Sequence, residues 1–296
     1  VALTGPNSGS AHHRHRRSRK IFVATFLLVG ATLILWAFVF EPASLRTVTY
    51  ELPVPGWPRQ CSGLRVAVLA DLHIGSPFNG QGKLDRVVRM INEAQPDLVL
   101  LTGDYVIQNV LGGTFVPPEA IAATLRQLSP RLGTWAVLGN HDWWLDGERV
   151  RRALESAGIR VLEDASVRVD SGACSFWLTG IGDLWEGRHD VRRALGLVTD
   201  QAPVIAVTHN PDLFPDMPAR VNLTVAGHTH GGQVRVPFVG RPIVPSRFGE
   251  RYAVGHIVED GRHLFVSSGI GTSILPVRFL VPPEVAVLTL RAPTGD

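Results

Sequence analysis

LRVAVLADLH, residues 64–73, is the stretch from which the rest of the chain can be read. Residues 64–70 are short, mostly apolar and unbroken, as expected of a strand covered on both faces, and the run ends in Asp71 and His73. The pattern recurs downstream. DLVLL (97–101) runs into Gly103-Asp104, and TWAVLG (134–139) into Asn140-His141-Asp142. VIAVTH (204–209) ends on His209, and LTVAGH (223–228) leads into Thr229-His230-Gly231-Gly232. Helices are predicted over 83–94, 117–128 and 148–158, from apolar residues at helical spacing, a proline start at 117 and Gly158 at the last end. Further strands are predicted at 159–162, 167–170, 176–182 and 283–290, with a hairpin turning at Asp260-Gly261. Strands alternating with helices specify an α/β layered domain, whose ligand loops gather where strands end.

Composition narrows the class. A chain of 296 residues with 45% hydrophobic and 19% charged residues can bury a sizeable core, which excludes a disordered protein. Its net charge of +3 is unevenly placed. Arg14, Arg16, Arg17, Arg19 and Lys20 precede residue 40 with no acid among them, and without those five the chain has 24 bases against 26 acids. No nucleic-acid partner is therefore expected for the main domain.

IFVATFLLVGATLILWAFVF (21–40) holds 20 residues without a charge, enough for a helix to cross about 30 Å of hydrocarbon. It is longer than the apolar region of a signal peptide and lacks small residues before a cut, so an uncleaved anchor is expected. The preceding basic cluster would keep residues 1–20 in the cytosol and place the remainder outside a bacterial cell membrane. Residues 41–63, with Pro42, Pro53, Pro55 and Pro58, read as a linker, and 64–292 as the folded domain. Cys61 and Cys174 allow one bridge, but two small buried residues is the reading preferred from sequence.

The chemistry lies in the polar clusters. Of 11 histidines, His73, His141, His209, His228 and His230 fall at these strand ends. Imidazole, carboxylate and amide donors without thiolate suit manganese, iron or zinc. One such cluster alone reads as an ordinary turn; the ordered set of five does not.

That set (DLH at 71–73, GDY at 103–105, GNHD at 139–142, His209 and GHTH at 227–230) resembles the calcineurin-like metallophosphoesterase superfamily. GHTHGGQ (227–233) and GIGTSILPVRFLVPPEV (269–285) are similar to its bacterial membrane-associated subgroup, which includes exported phosphodiesterases and UDP-diacylglucosamine pyrophosphatases. The resemblance implies a four-layer α/β/β/α sandwich behind one N-terminal transmembrane helix, and two divalent metal ions. Asp71, His73 and His230 would hold one ion, and Asn140, His209 and His228 the other. Asp104 would bridge them, and His141 would face the phosphate as proton donor. A hydroxide bridging the ions would attack phosphorus. Asp142 would either orient an imidazole or cap a helix.

The substrate is less legible. Trp143 and Trp144 are candidate walls for a lipid or a base, Trp185 a candidate lid residue, and Arg247 and Arg251 candidate partners for a second phosphate. An anchor concentrates the site near the bilayer, which favours a lipid or lipid-linked phosphodiester or pyrophosphate. An outside location would separate the enzyme from cytosolic UDP-lipids. A phosphomonoesterase, or a non-catalytic metal-binding scaffold, is the alternative.

Overall fold

A computed structural model describes residues 9–186 and 189–293. The first eight residues of the basic tail, and Gly187-Arg188 of the loop around Trp185, lie outside the described residues. Helix α1 (Gly9–Leu35) continues through a π-helical turn, Trp36–Phe40, into the single turn α2 (Glu41–Ala43). The helical stretch Arg16–Ala43 contains an 18-residue segment of mean hydropathy 2.4 and is long and apolar enough to cross a membrane.

Twelve strands among the described residues form two six-stranded sheets. The first contains β1 (Arg46–Pro53), β2 (Leu64–Leu69), β3 (Leu98–Leu101), β4 (Thr134–Ala136), β5 (Arg160–Val161) and β12 (Glu284–Arg291), in the order β1-β12-β2-β3-β4-β5. The second contains β6 (Ala165–Ser171), β7 (Cys174–Ile181), β8 (Val204–Thr208), β9 (Leu223–Ala226), β10 (Gly255–Glu259) and β11 (Arg262–Val266), in the order β10-β11-β9-β8-β7-β6. Strands β2 to β5 run parallel, as do β7, β8, β9 and β11.

Strand side chains alternate between faces, and that alternation builds the layers. Val66, Val68, Leu98 and Leu100 point inward to meet Phe176, Leu178, Ile205 and Val207 of the second sheet. Ala67, Leu69, Val99 and Leu101 point outward under helices α3 (Gln81–Ala94), α4 (Pro118–Leu125) and α5 (Asn140–Ser156). On the far side, Val204, Ala206, Leu264 and Val266 pack beneath short helical turns, including Pro211–Asp216 and α6 (Val191–Leu195). The result is the expected four-layer α/β/β/α sandwich.

Three expectations need correction. Residues 46–53 are not linker: Arg46 to Pro53 pair in parallel with Glu284 to Arg291 as an edge strand. Thr47, Val48, Thr49 and Tyr50 favour extended pairing, and the prolines fall either before the strand (Pro42) or at or beyond its last residue, where no ladder bond is interrupted. The helix expected from 148 begins at Asn140, with Asp146 a non-helical residue at a kink within it, so the GNHD motif lies on its first turn. Cys61 and Cys174 are not free but form a disulfide that ties the segment before β2 to the start of β7 in the other sheet.

Candidate active site

The carboxyl ends of β2, β3 and β4 in one sheet meet those of β8 and β9 in the other, and the polar clusters converge there. Asp71, His73, Asp104, His228 and His230 all have positive φ, between 38° and 70°. For residues with a Cβ this conformation costs of order 1–3 kcal/mol each, and it persists only where surrounding contacts enforce it. The sharp reversals turn each side chain back over the sheet edge into a shared centre.

Those enforcing contacts are visible. The Asp142 carboxylate, fully buried, accepts the backbone N–H groups of Gly139 (2.9 Å), Asp104 (2.8 Å) and Tyr105 (2.9 Å). Of its two expected roles it therefore takes the cap, and it also locks the Asp104 loop against α5; no imidazole contacts its carboxylate among the described bonds. Gly139 has no room for a Cβ, which would strike the Asp104 carboxylate and His209. The Asp71 carboxylate accepts the His228 N–H with both oxygens at 3.0 Å. His209 directs Nδ1 to the Thr102 carbonyl at 2.8 Å, which orients its Nε2 toward the centre.

The donor atoms of these side chains face one another. His73 Nε2 lies 3.2 Å from His230 Nε2, which is 3.6 Å from Asp71 Oδ1. His209 Nε2 lies 3.1 Å from both Asn140 Oδ1 and His228 Nδ1. Asp104 Oδ2 sits between the groups, 3.4 Å from His73 Nε2 and 3.3 Å from His209 Nε2. Donors sharing one ion at about 2.0–2.2 Å stand about 3–3.6 Å apart in tetrahedral or octahedral geometry. Imidazole nitrogens aimed at each other across that distance repel unless a cation or proton lies between them. The residues therefore fit a divalent metal.

Burial pushes His73 and His228 down to about 3 and His230 well below its usual value, so these imidazoles are neutral and free to donate a lone pair. Burial also raises Asp71 to about 7. Burial alone would lower His209, but the Asp104 charge and hydrogen bond outweigh it and raise it to about 10. Burial opposes ionisation of Asp104 as well; its histidine neighbours, His209 foremost, nevertheless hold it well below the usual carboxylate range.

Residues 64–232 match the family profile described as calcineurin-like phosphoesterase, more than half of the chain. The chain belongs to this family. It is similar to the metallophosphoesterase YkuE of Bacillus subtilis (32% identity; 87% of this chain, 89% of that one). It is similar to the phosphodiesterase YaeI of Escherichia coli (34%; 84% and 90%). A transmembrane protein with metallophosphoesterase domain from Danio rerio is 30% identical over 90% of this chain and 62% of its own length, so the chain spans about three fifths of that relative. The protein is accordingly a metal-dependent phosphoesterase.

The phosphoesterase has a cavity of about 270 Å³ above its ligand cluster. His141 faces it, with its backbone N–H held by Asp104 Oδ1 at 2.9 Å. Trp144 stands against His141 (ring centroids 4.8 Å) and Trp185 against His228 (4.4 Å), and the two indoles lie 6.2 Å apart as a partial roof. Trp144 Nε1 donates to Glu186 at 2.7 Å, joining the α5 end to the 182–186 turn. Trp143 does not line the cavity; it packs over Gly147 and against the apolar layer between the first sheet and helices α3 to α5. Arg247 and Arg251 do not reach it either. Arg247 is spent on the Asp212 carbonyl and Arg251 on a two-pronged pair with Glu259. Asp183 is buried and accepts the Glu186 N–H at 2.9 Å, a structural task.

Several site residues carried no sequence signal. Gln108, Asn109 and Ile243 line the cavity from loops with no histidine or strand-end pattern, while Gln233 and Ile274 were visible only within the 227–233 and 269–285 stretches. Asn79 holds the Leu72 and His73 carbonyls through Nδ2. Arg278, fully buried, donates to the Ser268, Gly271 and Val281 carbonyls, and burial lowers it to about 10. Gly271 was visible only as part of the 269–285 stretch; a Cβ there would meet the Leu72 carbonyl at 2.6 Å and His73 Cβ at 2.7 Å.

Proposed function

We propose that this phosphoesterase is a membrane-anchored, two-metal phosphodiesterase acting on a lipid or lipid-linked phosphodiester or pyrophosphate. The observation that carries the two-metal reading is Asp104 Oδ2, nearly equidistant from His73 Nε2 and His209 Nε2. Asp71, His73 and His230 would hold one ion, Asn140, His209 and His228 the other, and Asp104 would be shared between them. Manganese, iron or zinc suits this donor set. When bound, the ions supply Lewis acidity at the phosphoryl oxygens and lower the pKa of water to near neutrality.

The chain's own residues do the rest. Asp142 and Thr102 hold Asp104 and His209 in register, so little reorganisation accompanies reaction. His141 sits beside the phosphate position and donates a hydrogen bond, then a proton, to the leaving oxygen. Burial lowers its pKa, and an anionic phosphate in contact raises it again. Trp144 and Trp185 shield the centre from water. No lysine or arginine is among the described lining residues, so positive charge for phosphate comes from the ions. Such a lining suits a single diester phosphate flanked by apolar groups, in keeping with the name of the Escherichia coli relative.

The apolar stretch Arg16–Ala43 supports anchoring. The basic cluster before it and the Cys61–Cys174 bridge both favour a catalytic domain outside the bacterial cytosol, because disulfides persist in oxidising compartments. The test is the full chain in lipid nanodiscs with manganese, assayed on an aryl phosphodiester and an aryl phosphomonoester beside Asn140→Ala and His141→Ala. Diester turnover lost in both variants, with about two metal equivalents per wild-type chain, is expected. Faster monoester turnover would overturn the diester reading, and a single equivalent the two-metal one.

A further inference from the structure

The end of the apolar helix is not tethered loosely. The Ala37 carbonyl accepts the Arg278 N–H at 2.9 Å, and the Glu41 carboxylate accepts the Val281 N–H at 2.5 Å and Trp36 Nε1 at 2.7 Å. Lys83 Nζ donates to the Pro42 carbonyl at 2.6 Å. Ala37 and Glu41 are buried by these contacts. The 278–281 loop therefore lies beside the last turns of the apolar stretch, level with Trp36–Phe40, whose side chains Trp36, Phe38 and Phe40 are exposed.

From that junction an apolar rim spreads across three connected loops. Leu280 is exposed in the first; the Leu111 N–H joins the second loop to the Ile274 carbonyl at 2.9 Å; the Arg235 N–H joins the third to the Phe279 carbonyl at 2.8 Å. Leu111, Ile274, Ile243 and Phe238 all project outward, Ile243 with 77% of its surface exposed and Phe238 entirely. Three of these bulky residues also hold left-handed backbone: Phe238 at φ 67°, Ile274 at 62° and Leu280 at 57°. Left-handed backbone and exposed apolar surface both carry a cost, and for a β-branched residue such as Ile274 the first is marked. Among the described residues, these side chains belong to none of the buried cores of the domain. Ile243 and Ile274 also line the catalytic cavity, so the rim is the edge of the active-site mouth.

We propose that this rim is immersed in the interfacial layer of the same bilayer that the N-terminal helix crosses, so that the cavity opens against the membrane surface and takes its phosphodiester from a lipid headgroup in place. The inference rests on the anchoring reading above. Continuity with the clamped helix identifies the bilayer as the occupant: a surface fixed beside Trp36–Phe40 cannot be distant from the membrane that holds them. Exposed Arg235 in the third loop adds a cation at headgroup level.

The two native cysteines are paired, so single new cysteines can be labelled with an environment-sensitive fluorophore in the full chain. Phe238→Cys, Leu280→Cys and Leu111→Cys are compared with Leu28→Cys in the helix and Gln127→Cys before β4, at the opposite edge of the sheet. All are reconstituted in nanodiscs of equal parts phosphatidylcholine and phosphatidylglycerol. An interfacial rim at a depth of about 5–10 Å gives blue-shifted emission quenched more by a shallow acyl-chain doxyl than by a deep one. Leu28→Cys shows the reverse order, and Gln127→Cys neither shift nor quenching. Rim probes resembling Gln127→Cys while Leu28→Cys is quenched overturn the rim and leave the anchor standing. An unquenched Leu28→Cys overturns both.

Discussion

The two sheets supply the proposed metal ligands in near balance but are built differently around them. The first gives Asp71, His73, Asp104 and Asn140, plus His141, under three helices of 14, 8 and 17 residues. The second gives His209, His228 and His230, and its outer face is covered by turns such as the six-residue Pro211–Asp216 and the five-residue α6. What the second side lacks in helices it has in loops, and those loops form much of the cavity mouth and the apolar rim, joined from the first side by Asn109, Leu111 and Trp144. The difference teaches that the chemistry is shared across the interface between the sheets. Access to it is controlled largely from one side.

The largest expected effect tests the sharing. Asp104→Ala, from the first sheet, and His228→Ala, from the second, should each lower kcat by about 10³-fold or more and reduce bound metal, measured by steady-state assay and elemental analysis. A tenfold or smaller loss in one alone would break the symmetry. Gly139→Ala comes next: its Cβ would collide with Asp104 and His209, one residue from each sheet. Activity should fall by about 10²-fold while circular dichroism stays near wild type. Wild-type activity would mean the α5 start can yield.

The disulfide crosses the same interface and closes a separation of 113 residues. Cys174→Ser should cost about 2–5 kcal/mol in denaturant unfolding, with metal content retained. An unchanged midpoint would show that the sheets are held by their apolar core alone. Glu163, between β5 and β6, accepts the Leu138 N–H at 3.1 Å and is raised from 4.5 to about 7, chiefly by burial. The folded state then binds more protons than the unfolded one between about pH 4.5 and 7, so this group's stability is present in acid and lost as pH rises through 7. Glu163→Gln should match wild type near pH 4 and be the more stable of the two near pH 8; a parallel pH profile would exclude the site. The smallest effect is expected at the roof. Trp185→Ala should raise KM for an apolar diester several-fold with kcat within about threefold, and a selective fall in kcat would instead place Trp185 in the chemistry.

Legibility follows the same division. Strands β2, β3, β8 and β9 are short apolar runs ending in a polar residue, and each was readable because periodicity and chemistry change at one position. The seven proposed ligands and His141 stand at those changes. Arg247 and Arg251 were misread because sequence shows an arginine's charge but not whether an acid or a carbonyl already occupies it. The edge strand β1 hid behind prolines that fall at or after its end, and its partner β12 is 238 positions away by the Arg46–Glu284 register. Trp143 and Trp144 were indistinguishable as neighbours; a helical step turns one toward the core and the other over the cavity.

By itself the sequence determined an α/β layered domain, the apolar N-terminal stretch and the polar clusters at the strand ends, because each is written in local spacing or in residue chemistry; the sandwich and the reaction family followed from the resemblance those clusters carry. Tertiary structure alone decided that Asp104 stands between the two imidazole groups, that Cys61 meets Cys174, and that the helix end is clamped beside the 278–281 loop. Those facts depend on distances between segments far apart in the chain. They are fixed by the packing of the two sheets and their shared core, and no local pattern encodes them.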